Sequence, residues 1–372
     1  MSLMQLSHLG GLTAQQFLSD YWQKKPLLVR QAFPGFGDAM TPDELAGLAC
    51  EEDAQSRLVL GSRGKWRVES GPFAEERFSR LPKKGWSLLV QGVNHFLPEG
   101  AGLLQEFDFI PTARLDDLMV SFAPDGGGVG PHFDSYDVFL LQGYGKRIWR
   151  VSEQDDMTLV EGAPLRILKN FHTSEEWLLE PGDMLYLPPR LAHWGIAVGP
   201  CMTWSVGFRA PSAQELGTQF LAHLQERICL QGMYADPDLK SQAHPSEISA
   251  QMVDRVQGML NGIRWGKADV ARFLGEYLTE PKPHIVFEPP RRMALEKFRE
   301  RVEKTGIHLD LKSQMLVSGR TVFINGEAVE TDAQTLLLLR RLADRRMLPP
   351  PEAGRVAELL CQWYNAGYLQ LS

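Results

Sequence analysis

Short apolar runs broken by glycine and proline fill the chain from Arg57 to about Val206. Residues 58–60, 65–68, 87–90 and 118–122 have the length and composition of strands, with turn residues between them. Many short strands joined by turns predict a β sandwich or barrel. After Asp134 the side chains alternate, with Tyr136, Val138 and Leu140 on one parity and Asp137, Phe139 and Leu141 on the other. A strand is expected there, ending at Gly143 and Gly145. Pro181-Gly182-Asp183 signals a turn, residues 184–187 an apolar strand, and Pro188-Pro189 a stop.

Elsewhere the period is helical. Residues 17–22 predict a helix and residues 27–29 a strand. Thr41-Pro42-Asp43-Glu44 opens a second helix with an N-cap Thr, Pro at the first helical position and the Glu of a capping box. At Pro211 the character changes. Ser212 and Glu215 make another capping box, and Leu216, Phe220, Leu224 and Ile228 follow at helical spacing. Two further amphipathic segments cover residues 252–263 and 270–278. Their apolar faces need cover, so a homodimer through residues 212–278 is expected, with packing back on the β domain as the alternative. Residues 281–290 (PKPHIVFEPP) read as a linker. Beyond them come a basic helix at 293–302, a hairpin turning on Asn325-Gly326, a Leu-rich helix at 335–342 and a last helix around 355–365. That set resembles a winged-helix module. The expectation is an α+β protein in three units: residues 1–210, 211–280 and 281–372.

Composition narrows the classes. At 44% hydrophobic and 23% charged residues, the 372-residue chain matches ordinary soluble globular proteins. No stretch approaches the ~18 uninterrupted apolar residues of a membrane span. The segment MSLMQLSHLGGL lacks the basic and apolar regions of a secretory signal. Cys50, Cys201, Cys229 and Cys361 are scattered, without zinc-finger or disulfide-framework spacing, so a reducing cytoplasm is the expected compartment. The net charge of −7 divides into −10 over residues 1–280 and +3 over residues 281–372. An acidic main body disfavours nucleic acid and favours a basic partner.

The chemistry lies in His132, Asp134 and His193. His132 and Asp134 are two apart, so a strand points both to one face. A second His follows Asp134 after 58 residues. Two imidazoles and one carboxylate that leave half a coordination sphere open make the facial triad of non-haem Fe(II) oxygenases. The remaining histidines considered, His95, His172, His223, His244, His284 and His308, have no partner at ligand spacing. Gly126-Gly127-Gly128 precedes a His-bearing strand, not a helix, so it is read as a place of close backbone approach and not as a phosphate cradle. Tyr136 shares parity with His132 and Asp134, which places it at the substrate mouth or in the core.

The run GGGVGPHFDSYDVFLLQGYGKRIWRV, together with EPGDMLYLPPRLAHWG, resembles the JmjC-type cupin oxygenases, and the whole chain resembles the bacterial ribosomal oxygenases. The resemblance implies a double-stranded β-helix with Fe(II), 2-oxoglutarate as cosubstrate and O2. It implies His132, Asp134 and His193 as metal ligands. It implies Arg147 as the anchor of the cosubstrate's distal carboxylate, on a following strand with Lys146 facing the other way, and a guanidinium fork suits that task. Ser121 matches a position whose hydroxyl helps hold the same carboxylate, whereas the Asn that many relatives carry near Thr203 is missing. The implied reaction decarboxylates 2-oxoglutarate to succinate and carbon dioxide while hydroxylating an arginine of a large-subunit ribosomal protein. A histidine hydroxylase, a methyl-lysine demethylase, or a non-enzymatic cupin sensor with a DNA-binding winged helix are the alternatives. The tail's charge of +3 is weak for a DNA reader.

Overall fold

The computed structural model describes residues 6–37, 39–62 and 65–372. Of the segment read for a secretory signal, residues 1–5 lie outside the described residues. In chain order the first part contains α1 (Ala14–Asp20), β1 (Leu27–Val29), α2 (Pro42–Leu48), β2 (Ser56–Ser62), β3 (Lys65–Ser70), α3 (Glu75–Ser79) and β4 (Trp86–Val90). Then come α4 (Pro98–Gln105), β5 (Leu115–Ala123), β6 (Val138–Ser152), β7 (Glu175–Leu179), β8 (Met184–Leu187) and β9 (Ala192–Phe208). These strands pair in the order β1-β8-β6-β9-β5-β4-β2-β3, with β7 added on β6. This is a cupin-like double-stranded β-helix, extended by β4, β2 and β3.

Two long strands organise it. β6 pairs with β9 along almost its whole length; its other edge takes β8 at residues 138–141 and β7 at residues 147–151. The strand expected to stop at Gly143 and Gly145 therefore does not stop. It bulges there, with register shifts between Gln142 and Tyr144 and between Tyr144 and Lys146, and runs on to Ser152. Arg147 thus sits on the same strand as Val138, not on a following one. Glycine is required at the bulge: Gly145 has φ +61°, and a Cβ there would lie 2.0 Å from the Pro200 carbonyl oxygen.

The bulge also changes which parity faces inward. Phe139 and Leu141 pack outward in an aromatic core against Phe17, Phe107, Tyr186 and Phe208, with ring centroids 4.7 Å apart for Phe107–Phe139 and 4.9 Å for Phe139–Tyr186. Val138 and Leu140 face the interior, and beyond the bulge so do Arg147 and Trp149. Even positions line the inside before the bulge and odd ones after it. Asp137 is fully buried but satisfied, accepting from the Tyr186 hydroxyl at 2.6 Å and Gln23 Nε2 at 2.9 Å. It belongs to the packing, not to the chemistry.

The helical signals hold with shifted ends. α1 begins three residues before Phe17, at a Thr13–Gln16 capping box, and α2 has the Thr41–Glu44 box that its sequence announces. α5 (Ala213–Gln225) is capped by Ser212, but Glu215 does not complete the expected box. Its carboxylate accepts instead from the Tyr277 hydroxyl at 2.6 Å, on α7 (Lys267–Thr279). Between them lies α6 (Ala250–Leu260), with no buried residue.

The last part comprises α8 (Leu295–Thr305), β10 (Ile307–Leu309), β11 (Met315–Ser318), β12 (Thr321–Ile324), β13 (Glu327–Glu330), α9 (Ala333–Arg345), β14 (Met347–Leu348), α10 (Pro350–Ala353), α11 (Ala357–Asn365) and β15 (Leu369–Leu371). It has its own core around Phe298, Ile324, Leu339, Leu342 and Leu360. α7 lies against its strands so closely that a Cβ on Gly275 would meet the Phe323 ring at 2.4 Å. Arg209 and Lys312 tie this part to the β-helix: Arg209 reaches Asp116, the Leu278 carbonyl and Gln314, and Lys312 reaches Asp53 at 3.1 Å.

Candidate metal centre

His132 and Asp134 stand on the loop that enters β6, and His193 is the second residue of β9. An antiparallel bridge joins them: the His132 amide donates to the His193 carbonyl at 2.9 Å and the reverse bond measures 2.8 Å. Glycine makes this approach possible, as its sequence suggested. A Cβ on Gly128 would lie 2.3 Å from the Gly195 carbonyl oxygen, and one on Gly127 2.1 Å from that of Trp86.

One ligand atom from each of His132, Asp134 and His193 lies within 4.8 Å of the others. Each imidazole is oriented from behind. The His132 ring holds Nδ1 at 2.9 Å from the Gly130 carbonyl, and the His193 ring holds Nδ1 at 2.9 Å from the Leu191 carbonyl. A carbonyl can only accept, so Nδ1 carries the proton in both rings and Nε2 is left with its lone pair. Those Nε2 atoms point at Asp134 Oδ2, at 4.0 Å for His132 and 3.6 Å for His193. Burial, together with the neighbouring His132, pulls the His193 pKa down to about 4 against the opposing pull of Asp134. Its ring is therefore neutral at pH 7, the form that binds a metal.

The three residues open on a cavity of about 450 Å³. Its walls are the same-parity positions of successive strands: Arg57 and Val59, then Ser87, Leu89 and Gln91, then Asp117, Met119 and Ser121, then Thr203 and Ser205. Tyr136 lines it too, at 41% exposure, and so is not core. Arg147 is 5% exposed and enters from β6, while Lys146 points away and pairs with Glu180 at 2.6 Å. Arg147 Nε and Nη2, Trp149 Nε1 and Ser87 Oγ are buried without a hydrogen-bond partner, and all belong to residues lining this cavity. Natural proteins rarely leave buried donors unmade, so a cluster of them around one void marks the seat of a polar ligand. Ser121 Oγ has only a long contact of 3.5 Å to the Thr203 carbonyl. Thr203 donates its hydroxyl to Gln142 Oε1 at 3.0 Å.

Asp116 and Asp117 escaped the sequence reading. Asp117 has the parity of Ser121 on β5, and that alternation was the available signal. Burial and the adjacent Asp116 raise the Asp117 pKa, countered by Lys282. Lys282 Nζ stands 3.1 Å from Asp116 and 3.9 Å from Asp117. The other histidines stay apart from the centre, and among the described residues the only cluster of potential metal ligands is this triad. No described helix is long and apolar enough to cross a membrane.

Comparison with known proteins agrees in sequence and in structure. Residues 102–216 match the JmjC domain family and residues 262–370 the ROXA-like winged helix. The Ribosomal protein uL16 3-hydroxylase of Escherichia coli is 38% identical over 367 residues, 95% of this chain and 96% of that protein. A probable ribosomal oxygenase of Haemophilus influenzae is 41% identical over 61% of this chain and 55% of its own length. An X-ray structure of E. coli ycfD superposes with a TM-score of 0.86 at 35% identity, covering 97% of this chain and 98% of that one. The same ribosomal oxygenase in complex with cobalt and 2-oxoglutarate gives 0.83 at 34% identity, over 97% of this chain and 98% of its own. A JmjC β-helix, a matching winged helix and near-full-length identity leave one assignment: the chain belongs to the JmjC-type bacterial ribosomal oxygenases.

Proposed function

We propose that this protein is an Fe(II)- and 2-oxoglutarate-dependent oxygenase that hydroxylates an arginine side chain of a large-subunit ribosomal protein. The observation that carries the reading is one cavity holding both a His-Asp-His set and an unpaired buried arginine. The E. coli relative is a hydroxylase of ribosomal protein uL16, and the relative's structure with cobalt and 2-oxoglutarate supports the same pair of ligands here. His132, Asp134 and His193 would hold the iron, leaving the positions facing the cavity open. Arg147 would grip the distal carboxylate of 2-oxoglutarate bidentately, with Ser121 adding a hydroxyl. When bound, the metal and cosubstrate supply the oxidising power that converts O2, 2-oxoglutarate and a C–H bond into succinate, carbon dioxide and a C–OH.

The protein's own part is positioning. Leu140, Trp149 and Met119 give the cavity an apolar part of its wall. Asp117 lines it as a carboxylate whose pKa burial and the adjacent Asp116 raise, so an entering cation would stabilise its charged form. A guanidinium offers that cation and a planar fork for the carboxylate; an imidazole, neutral at pH 7, does not. Acidic Asp116 and the −10 balance of residues 1–280 would steer a basic ribosomal loop to the mouth. Such a substrate suits a cytoplasmic enzyme.

The division into an oxygenase unit (1–210), a helical unit (211–280) and a winged-helix unit (281–372), with a homodimer built on the helical unit, belongs to the same proposal. In its favour, Leu221, Met233, Met252, Val253, Leu260 and Trp265 are all exposed within that unit. Mass spectrometry of ribosomal proteins incubated with enzyme, Fe(II) and 2-oxoglutarate tests the function: one added oxygen on a single arginine is expected. An added oxygen on histidine, or loss of a methyl group, overturns the arginine assignment alone. Oxidation confined to small molecules overturns the ribosomal one.

A further inference from the structure

The cavity contains a hydroxyl to which the proposed chemistry gives no task. Ser87, on β4, is 1% exposed, lines the cavity, and its Oγ has no hydrogen-bond partner. Two independent relations bring it to the cosubstrate end. First, its neighbour two residues on, Leu89, pairs with Ser121. Ser87 is therefore the diagonal neighbour of Ser121 on one face of adjacent strands, at a spacing of about 7–8 Å. Second, the carbonyl of Trp86, the residue before Ser87, abuts Gly127. The Gly127 carbonyl accepts from the Ala197 amide at 2.9 Å, and Ala197 is the cross-strand partner of Arg147. The start of β4 and the Arg147 stretch of β6 thus close on the same end of the cavity, where the unpartnered Arg147 nitrogens also lie.

We propose that Ser87 is a further positioning residue for the cosubstrate, its Oγ–H donating to the distal carboxylate of 2-oxoglutarate beside Ser121 and Arg147. A carboxylate accepts at both oxygens, so a guanidinium and two hydroxyls can share it. β4 precedes residues 102–216, the part that matches the JmjC domain family, so the strands added to the β-helix would complete the cosubstrate site. This inference rests on the oxygenase reading above.

The test compares Ser87→Ala and the near-isosteric but weakly donating Ser87→Cys with the parent. Equilibrium binding is measured by calorimetry on the full-length protein loaded with Mn(II) without oxygen. Two probes are used: 2-oxoglutarate, and 2-oxopentanoate, which has the same chain length but no distal carboxylate. The Kd for 2-oxoglutarate should rise at least about tenfold, as for loss of a hydrogen bond to a charged group, while that for 2-oxopentanoate stays within about twofold. Unchanged 2-oxoglutarate affinity in both variants overturns the proposal, as does equal weakening of both probes, which would mark a structural role. If the parent itself fails to bind 2-oxoglutarate, the oxygenase reading falls as well, so the two failures are told apart.

Discussion

Replacing Arg147 by Met should stabilise the ligand-free protein and abolish its response to 2-oxoglutarate. Arg147 is 5% exposed, and its Nε and Nη2 meet no acceptor. The Trp149 ring lies 5.7 Å from the guanidinium carbon. Leaving such donors unmade costs about 1–3 kcal/mol, which an apolar side chain of similar length recovers. The same guanidinium, once paired with a buried carboxylate, is worth about 2–5 kcal/mol when truncated, or roughly 30-fold to a few thousand-fold in affinity. At a 2-oxoglutarate concentration a hundred times the parent Kd, ligand stabilises the parent by about 2.7 kcal/mol. A variant with a hundredfold weaker site gains only about 0.4 kcal/mol under that condition. Thermal unfolding with and without 2-oxoglutarate, on Mn(II)-loaded protein, reads both effects. Arg147→Met should melt higher than the parent without ligand and barely shift with it, and Arg147→Lys, keeping the charge but not the fork, should fall between. A full ligand-induced shift in Arg147→Met would refute the reasoning and move the anchor elsewhere, with Lys146 next to be examined.

Three further outcomes are expected. His132→Ala, Asp134→Ala and His193→Ala should each abolish 2-oxoglutarate turnover and lower the bound metal measured by atomic absorption; full turnover in any one removes that residue from the centre. Burial first, and then the cations Lys282, His284, Arg346 and Lys312, hold the His95 pKa at about 4, below its unfolded 6.5. The unfolded chain therefore takes up that proton first, and the stability His95 contributes is complete above pH 6.5 and lost as pH falls toward 4. That loss is on the order of 2–3 kcal/mol, and urea unfolding of His95→Gln should show a flatter pH dependence across the window. Light scattering at micromolar concentration should give a dimer, and Val253→Asp on the uncovered face of α6 a monomer; a monomeric parent would mean that this face needs no partner.

Local pattern alone carried the strands at 27–29 and 184–187, the helix capped by Thr41 and the hairpin at Asn325-Gly326, whereas His132 and Asp134, expected on a strand, stand on the loop before β6. Each of the former depends on a period or a turn residue a few positions away, which the chain states directly. Lys146 and Arg147 could likewise be set on opposite faces, because alternation is a property of the strand itself. The run through Gly143 and Gly145 could not be read this way. Glycines end most strands, and only the Pro200 carbonyl pressed against Gly145 shows that they serve a bulge in a continuous one. That bulge adds the offset that turns odd residues inward after even ones, so Arg147 and Val138 share one cavity although sequence parity separates them. Asp117 and Ser87 remained invisible for a related reason. An aspartate or a serine on a strand is unremarkable until pairing across β9, β5, β4 and β2 assembles same-face positions far apart in sequence. Glu215 was misassigned because a capping box and a tertiary hydrogen bond to Tyr277 compete for one carboxylate, and only the packing of α5 against α7 decides between them.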